Sequence, residues 1–283
     1  MINQKIIPHL WFNNEAYEAA QFYTSIFPHG EITHTATLED TPSGDCDVVS
    51  FDVAGYSFMA INGGPAFSFN PSISFFVNFD PSQDEDARNH LDRLWEQLIT
   101  GGKALMPLDE YPFSKRYGWV EDKYGLTWQL ILTEPQGEER PFIIPSLLFT
   151  NNPYPKAEEA LTRYLSVFRD TRQGIIARSP AGMEPDQEGT LMFTDFMLEG
   201  QWFAAADSAL SHDFTFNEAI SLVIMCEHQE EVDYYWDNLS ADPEAELCGW
   251  LKDSFGVSWQ VYPAVAQDML THGTRQQVNR LTQ

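Results

Sequence analysis

The chain of 283 residues has little cysteine, few basic residues and no long apolar run. Its three cysteines, Cys46, Cys226 and Cys248, are widely spaced and form no C-x-x-C pair. That pattern argues against a disulfide framework or a structural zinc site and suits a reducing compartment. Cys248 stands just before Gly249 and Trp250 at an expected strand start, where a buried, inert thiol is the expectation. Lys and Arg number 16 against 42 Asp and Glu, a formal net charge of −26. Such a surface repels phosphate backbones and anionic lipid, so neither a nucleic acid nor a membrane is an expected partner. No run approaches the ~20 apolar residues of a membrane span. Met1 to Leu10 carries no basic patch followed by an apolar stretch, so a cytoplasmic location is expected. Several catalytic signatures are missing as well. The seven histidines make no H-x-x-x-H or H-E-x-x-H pattern, no G-x-S-x-G elbow exists, and no G-x-G offers a dinucleotide or glycine-rich cofactor loop.

What the chain does contain is a duplication. Gly118-Trp-Val-Glu-Asp-Lys-Tyr-Gly-Leu-Thr-Trp-Gln129 matches Gly249-Trp-Leu-Lys-Asp-Ser-Phe-Gly-Val-Ser-Trp-Gln260 in register. Phe69-Asn70-Pro-Ser-Ile73-Ser74 matches Phe216-Asn217-Glu-Ala-Ile220-Ser221, and Ile7-Pro8 through Phe12 matches Ile144-Pro145 through Phe149. The three matches keep the same order, so two collinear copies of one module follow each other. The expected division is a first domain over 1–135, a Pro/Gly/Glu-rich linker over 136–141, a second domain over 142–265 and a polar tail over 266–283. With 43% hydrophobic and 20% charged residues, either copy can bury a core.

Within the first copy, apolar and β-branched runs predict strands at 6–12, 31–37, 47–53 and 56–62, with a helix over 15–27. The order then repeats. A strand over 72–79 precedes a helix over 84–100, opened by a Ser82/Glu85 capping box, and strands follow near 103–107, 117–121 and 127–132. The segment from Tyr111 to Tyr117 reads as a surface loop or as an anion contact through Lys115 and Arg116. The second copy is expected to repeat the plan, so the chain holds four β-α-β-β-β units and is α+β. The two halves are expected to pair within one chain, which does not forbid a homodimer.

Pro8-x-Leu10-x-Phe12, the helix ending Phe22-Tyr23-x-x-x-Phe27, and the closing Cys248-Gly-Trp-Leu-Lys-Asp-Ser-Phe-Gly-Val-Ser-Trp-Gln260 resemble the PhnB-like proteins of the vicinal oxygen chelate superfamily. That superfamily includes glyoxalase I, bleomycin-resistance proteins and extradiol dioxygenases. The resemblance covers about residues 5–132 and 142–263. It implies a cupped mixed sheet built from paired β-α-β-β-β units. It also implies a divalent metal in the cup, held by His, Glu or Gln at two strand starts and two strand ends and acting as a Lewis acid. Mapped by motif, those places fall near Pro8 and Pro145, Ala60 and Ala205, Ser72 or Ile73 with Ala219 or Ile220, and Gln129 with Gln260. Shifting the first position by one brings in His9, with Ser146 in the other copy. Only the glutamines keep a ligand type, so no metal or other cofactor is expected. Relatives often carry a methyltransferase label, and the missing glycine-rich loop gives that label no support.

The residues expected to line a ligand pocket are Asn62, Trp119, Gln129, Asp207, Trp250 and Gln260. Each has a structural alternative: turn formation for Asn62 and Asp207, a bond to a neighbouring strand for the glutamines, and core packing for the tryptophans, Trp128 and Trp259 included. Three functions remain open. The first is a small-molecule-binding protein with an aromatic, metal-free cup. The second is a glyoxalase-type metal-dependent lyase, isomerase or transferase. The third is a non-catalytic structural or interaction protein.

Overall fold

The computed structural model describes residues 4–41, 44–134 and 139–265. The expected tail over 266–283 and residues 136–138 of the expected linker lie outside the described residues. The chain runs β1 (Ile6–Phe12), α1 (Ala16–Ile26), β2 (Glu31–Thr41), β3 (Gly44–Val53), β4 (Tyr56–Asn62), then β5 (Ile73–Phe79), α2 (Ala87–Ile99), β6 (Lys103–Tyr111), β7 (Ser114–Glu121) and β8 (Thr127–Leu132). The second copy follows with β9 (Ile143–Thr150), α3 (Ala157–Val167), β10 (Arg172–Arg178), β11 (Leu191–Leu198), β12 (Gln201–Ser208), β13 (Ile220–Cys226), α4 (Gln229–Leu239), a 3-10 turn at Pro243–Ala245, β14 (Trp250–Lys252) and β15 (Ser258–Pro263).

The α+β architecture is as expected, and the strands pair across the two copies. One sheet has the order β14-β15-β13-β1-β4-β3-β2, the other β10-β11-β12-β9-β5-β8-β7-β6. In the first, β1 of the first copy lies antiparallel to β13 of the second, with His9 opposite Ser221. In the second, β5 lies antiparallel to β9, with Ser74 opposite Ser146. The compact units are therefore 1–68 with 216–283, and 69–215. They partition the chain differently from the sequence copies at 1–135 and 142–265. Each unit takes one β-α-β module from each copy, because the pairing edges offered by β1 and β5 are met by strands of the other copy.

The helices form where apolar residues recur every three to four positions. Ala16, Ala19, Ala20 and Tyr23 are the buried face of α1, and Ala87, Leu91, Leu94, Trp95 and Leu98 that of α2. Tyr23 stacks on Phe51 at 5.9 Å between ring centroids, and Phe51 on Phe58 at 5.3 Å. The same place in the other unit holds Phe196 stacked on Phe203 at 6.0 Å. Strand alternation then divides every strand of the sheet between two faces. Ile6, Pro8, Leu10 and Phe12 are buried on the helix side of β1, while Ile7, His9 and Trp11 point to the opposite, concave side.

Three local expectations are corrected. The Ser82/Glu85 capping box does not form. Asp80 and Asp84 bond the backbone N–H of Ser82 and Asp86 instead, and α2 starts only at Ala87. The segment Tyr111–Tyr117 is not a surface loop but the turn of the β6–β7 hairpin, with Tyr111 paired to Ser114 and Arg116 Nε bound to Asp92 at 2.7 Å. Among the described residues, the fourth module has no strand corresponding to β6. The Pro243–Ala245 turn stands in its place, and β14 is only three residues long.

The shared closing motif has a structural task. Asp122 accepts from the N–H groups of Tyr124 (2.8 Å) and Leu126 (3.2 Å) and from Trp128 Nε1 (2.9 Å). Asp253 does the same for Phe255, Val257 and Trp259 at 2.9, 3.0 and 2.8 Å. Trp128 and Trp259 are both fully buried, so their indole N–H needs this acceptor. Asp253→Ala leaves three buried donors without an acceptor and is expected to cost on the order of 3 kcal/mol. Urea unfolding of the full chain measures this, and an unchanged midpoint would refute the clamp.

Candidate functional site

The concave face of the first unit gathers its polar groups where β1, β13 and β15 run side by side. His9 faces Ser221 across the β1–β13 pair, and Gln260 Nε2 donates to Ser221 Oγ at 2.8 Å. Trp250 pairs with Gln260 and meets the His9 ring edge-on at 5.7 Å. Trp11 lies 6.2 Å from Trp250 and is pinned by its Nε1–H to Gly64 O at 2.8 Å. Gly63 lies flat against the Trp11 ring, where a Cβ would come within 2.2 Å. Met59 sits beside His9 on β4.

His9 is the unusual member. Its Nδ1 is buried and has no hydrogen-bond partner. Burial pushes its pKa down to about 4, so the ring is neutral near pH 7. Among the described residues, the Gln260 side chain accepts no hydrogen bond at Oε1, and its side-chain bond is the one its amide nitrogen makes to Ser221.

The second unit has the same frame with different contents. Gln129 Nε2 donates to Ser74 Oγ at 2.8 Å, the counterpart of the Gln260–Ser221 bond. Here the tyrosine hydroxyl of Tyr117 also donates to Gln129 Oε1, at 2.6 Å. Burial raises the Tyr117 pKa well above that of a free tyrosine. Trp119 pairs with Gln129, and its Nε1 is buried with no partner. Ile144, Trp202 and Ala204 form an apolar cluster with Phe76, Phe193 and Met197 packed against it. Arg140 lies over the Trp202 ring at 3.6 Å and bonds buried Asp195 at 2.8 Å.

Of the expected pocket residues, the structure brings Trp250 and Gln260 together in one unit and Trp119 and Gln129 in the other. Asn62 and Asp207 do not join them. Both fall on the helix side of their strands, one residue out of phase with the concave face. Asn62 Oδ1 accepts from Ala16 N at 2.8 Å, and Asp207 Oδ1 from Ala157 N at 3.0 Å, so each holds the first N–H of a helix. The four tryptophans divide likewise: Trp128 and Trp259 belong to the core, Trp119 and Trp250 to the concave faces. Cys248 is exposed rather than buried, because it occupies a turn with φ of 51°. Reading the motif alone missed Tyr117, Ser74, Ser221 and Asp195. Tyr117 stands just ahead of the repeated Gly-Trp, and the period-two alternation from Gln129 and Trp119 was the signal that would have found it.

Of the four positions implied for a metal in each unit, only the glutamine stays where the motif placed it, and the other three are displaced along their strands by one or two residues. The four are His9, Met59, Ser221 and Gln260 in the first unit, and Ser146, Ala204, Ser74 and Gln129 in the second. Pro8 and Pro145 lie on the helix side. Neither set includes a carboxylate, and no group of three or more His, Cys, Asp or Glu comes together among the described residues. Each set has one amide, joined in the first by an imidazole, a neutral hydroxyl and a thioether and in the second by two neutral hydroxyls and a methyl group, which is too few donors for a hard divalent cation.

A family model described as 3-demethylubiquinone-9 3-methyltransferase matches residues 4–131 and again 141–262. The PhnB protein of Bacillus cereus is 35% identical over 46% of this chain and 100% of its own, with a TM-score of 0.40. A Staphylococcus aureus protein is 32% identical over 47% of this chain and 100% of its own, with a TM-score of 0.19. Glyoxalase I of Zea mays covers 95% of this chain and 98% of its own at 11% identity and a TM-score of 0.54. That likeness shows a shared fold. No curated protein matches significantly.

His9 and Asp207 bend the pH dependence of stability in opposite directions. Unfolded histidine takes a proton near 6.5, folded His9 only near 4, so this residue removes stability as pH falls through that window. Burial holds Asp207 up to about 6, against the N–H bonds of Ala157 and Leu191 and assisted by the Asp186 and Glu158 charges. It therefore removes stability as pH rises from about 4 to 6. Asp207→Asn, which copies Asn62, is expected to make the acid loss steeper than in the wild type. His9→Phe is expected to make it shallower. Each contribution is on the order of 2 kcal/mol. Urea unfolding at pH 4.5 and 7 reads both, and parallel profiles in all three proteins would refute the assignment.

Proposed function

The chain belongs to the 3-demethylubiquinone-9 3-methyltransferase family, as two tandem copies with the fold of the vicinal oxygen chelate superfamily, and from that premise we propose that it binds a small neutral molecule without a metal, in the concave face of the first unit. The observation that carries this reading is His9. A buried ring nitrogen with no partner costs on the order of 1–3 kcal/mol. A scaffold that places it beside Trp250, Trp11 and the open oxygen of Gln260 holds a polar group ready for an occupant. The aromatic walls supply area, and the few polar groups supply orientation.

The family description names a methyl transfer, which asks for a base to take a proton from the accepting hydroxyl. Of the polar groups gathered where β1, β13 and β15 run side by side, the His9 imidazole of pKa about 4 is a poor proton acceptor near neutrality. Binding is what these residues do best. Pairing of the copies within one chain through β1–β13 and β5–β9 fits this reading.

Tag-free protein purified without chelators is expected to carry no stoichiometric divalent metal and to show no rise in melting temperature with manganese, nickel or zinc. Tightly held metal near one equivalent would overturn the metal-free reading. His9→Phe removes the unsatisfied nitrogen, so it is expected to raise the melting temperature at pH 7 by a few degrees, ~1 kcal/mol. A lower melting temperature would mean that His9 is satisfied in the free protein.

A further inference from the structure

The segment that joins the two copies carries an arginine onto the concave face of the second unit. Trp202 belongs to that face: Asp207, an odd number of positions along β12, turns to the start of α3, and Trp202 packs with Ile144 and Ala204. Arg140 lies over the Trp202 ring at 3.6 Å, and its Nε donates to Asp195 Oδ2 at 2.8 Å. The other carboxylate oxygen accepts from Ile175 N, so Asp195 is aimed by the backbone as well as by the arginine. Asp195 is 4% exposed and Trp202 7%. Gly174 makes room for both, since a Cβ there would meet Asp195 Oδ1 at 2.1 Å and the Trp202 ring at 2.8 Å. Arg172 also comes over the ring, at 4.9 Å, but its Nη2 bonds Met197 Sδ at 3.2 Å, and Arg140 is the cation on the carboxylate. The joining segment is fixed beyond Arg140 too: Asn78 Nδ2 donates to Pro141 O and Asn78 N to Phe142 O, each at 2.8 Å. In the first copy the positions matching Arg140, Asp195 and Trp202 are Asn3, Ser50 and Ser57. There the Gln4 amide bonds both backbone groups of Ser57 instead. The three residues are present together in one copy and absent together from the other, as parts of one site are.

We infer that Asp195, Trp202 and Gly174 form a guanidinium-binding site whose occupant in the free protein is Arg140, a latch that holds the junction of the copies and closes this part of the second concave face with the chain's own side chain. A flat cation suits the site on two counts. The indole face takes the plane of the guanidinium, and the carboxylate takes one of its N–H groups in a charge-assisted bond. An ammonium supplies the charge but does not cover the ring. Removing the arginine side chain uncovers the ring face it lies on and leaves a buried carboxylate without its cation, so the emptied site takes an alkylguanidinium from solution. The inference is independent of the occupant proposed for the first unit, whose residues lie on other strands.

The test uses the full-length chain, its Arg140→Ala and Arg140→Lys variants, and two probes of equal charge, methylguanidinium and methylammonium, at constant ionic strength. Binding is read from the Trp202 indole N–H resonance in ¹⁵N-labelled protein, assigned through Trp202→Phe, and from the melting temperature. Methylguanidinium is expected to shift the Trp202 resonance of Arg140→Ala saturably in the millimolar range and to raise its melting temperature. The wild-type resonance is expected to stay in place, because Arg140 competes from within the chain. Methylammonium is expected to bind Arg140→Ala about tenfold more weakly. Arg140→Lys keeps the charge and loses the plane, so it is expected to melt below the wild type and to respond to methylguanidinium. A wild-type response equal to that of Arg140→Ala would overturn the occupancy by Arg140. No response of Arg140→Ala throughout the millimolar range would overturn the guanidinium site, and equal binding of the two probes would overturn recognition of the plane. If Arg140→Ala does not fold, Arg140→Lys carries the comparison: a wild-type melting temperature with no response to methylguanidinium would overturn the latch. None of these outcomes bears on His9, which metal content and the His9→Phe melting temperature test separately.

Discussion

The antiparallel contact at the middle of each sheet is the constraint on which everything else depends. β1 meets β13, and β5 meets β9, each joining a strand of one copy to a strand of the other. Side chains alternate along a strand, so the register of this contact decides which residues face the helices and which face the concave side. With His9 opposite Ser221, Ile6, Pro8, Leu10 and Phe12 of β1 go into the core, and His9 and Trp11 remain for the concave face. A slip by one residue would bury the imidazole under α1 and turn Pro8 toward the concave face.

Duplication within one chain lets the two concave faces diverge while the scaffold stays common. The Asp–Trp clamp at the closing hairpin is nearly superposable in both, with the indole bonded at 2.9 and 2.8 Å. So is the glutamine–serine bond, at 2.8 Å in each. Around these fixed points the second unit is filled by its own side chains: the Tyr117 phenol, the Arg140 guanidinium on Trp202, and the buried Asp195 that pairs with it. A buried ion pair of this kind needs every remaining group satisfied. Asp195 achieves it through the backbone N–H of Ile175 at 2.5 Å, an approach that Gly174 permits because a Cβ there would meet the carboxylate at 2.1 Å. The first unit keeps its neutral groups unfilled instead. Trp119 Nε1 apart, the second unit thus pairs its polar groups with one another, whereas the first leaves His9 Nδ1 without a partner.

The Asn62 and Asp207 pair shows how the same position carries different charge at the same task. Both side chains receive the first N–H of a helix from a strand end. The amide does so without a titration. The carboxylate does so at the cost of burial, which lifts its pKa toward 6. That acidic group and the neutral His9 answer to pH in opposite senses, so their contributions partly cancel in the wild type.

Much was legible from residues alone. The repeated Gly-Trp-x-x-Asp-x-x-Gly-x-x-Trp-Gln revealed two copies, because a turn aspartate, its glycine and the tryptophan it holds recur at fixed spacing. The 3.6-residue period of Ala16 to Tyr23 and of Ala87 to Leu98 marked the helices, and β-branched alternation marked the strands, since both signals are local. Gln129, Gln260, Trp119 and Trp250 were identifiable as residues of one pattern. Three things required the tertiary structure: which copy each strand pairs with, which face each side chain takes, and whether a polar atom finds a partner. Asn62 and Asp207 were misplaced because a one-residue phase is invisible without the neighbouring strand. Tyr117 went unnoticed because its partner lies 12 residues away across a hairpin. Gln129 accepts from the Tyr117 hydroxyl and Gln260 from no described residue, although the two glutamines hold matching places in the repeat. Hydrogen-bond saturation depends on distances between strands that sequence spacing does not contain.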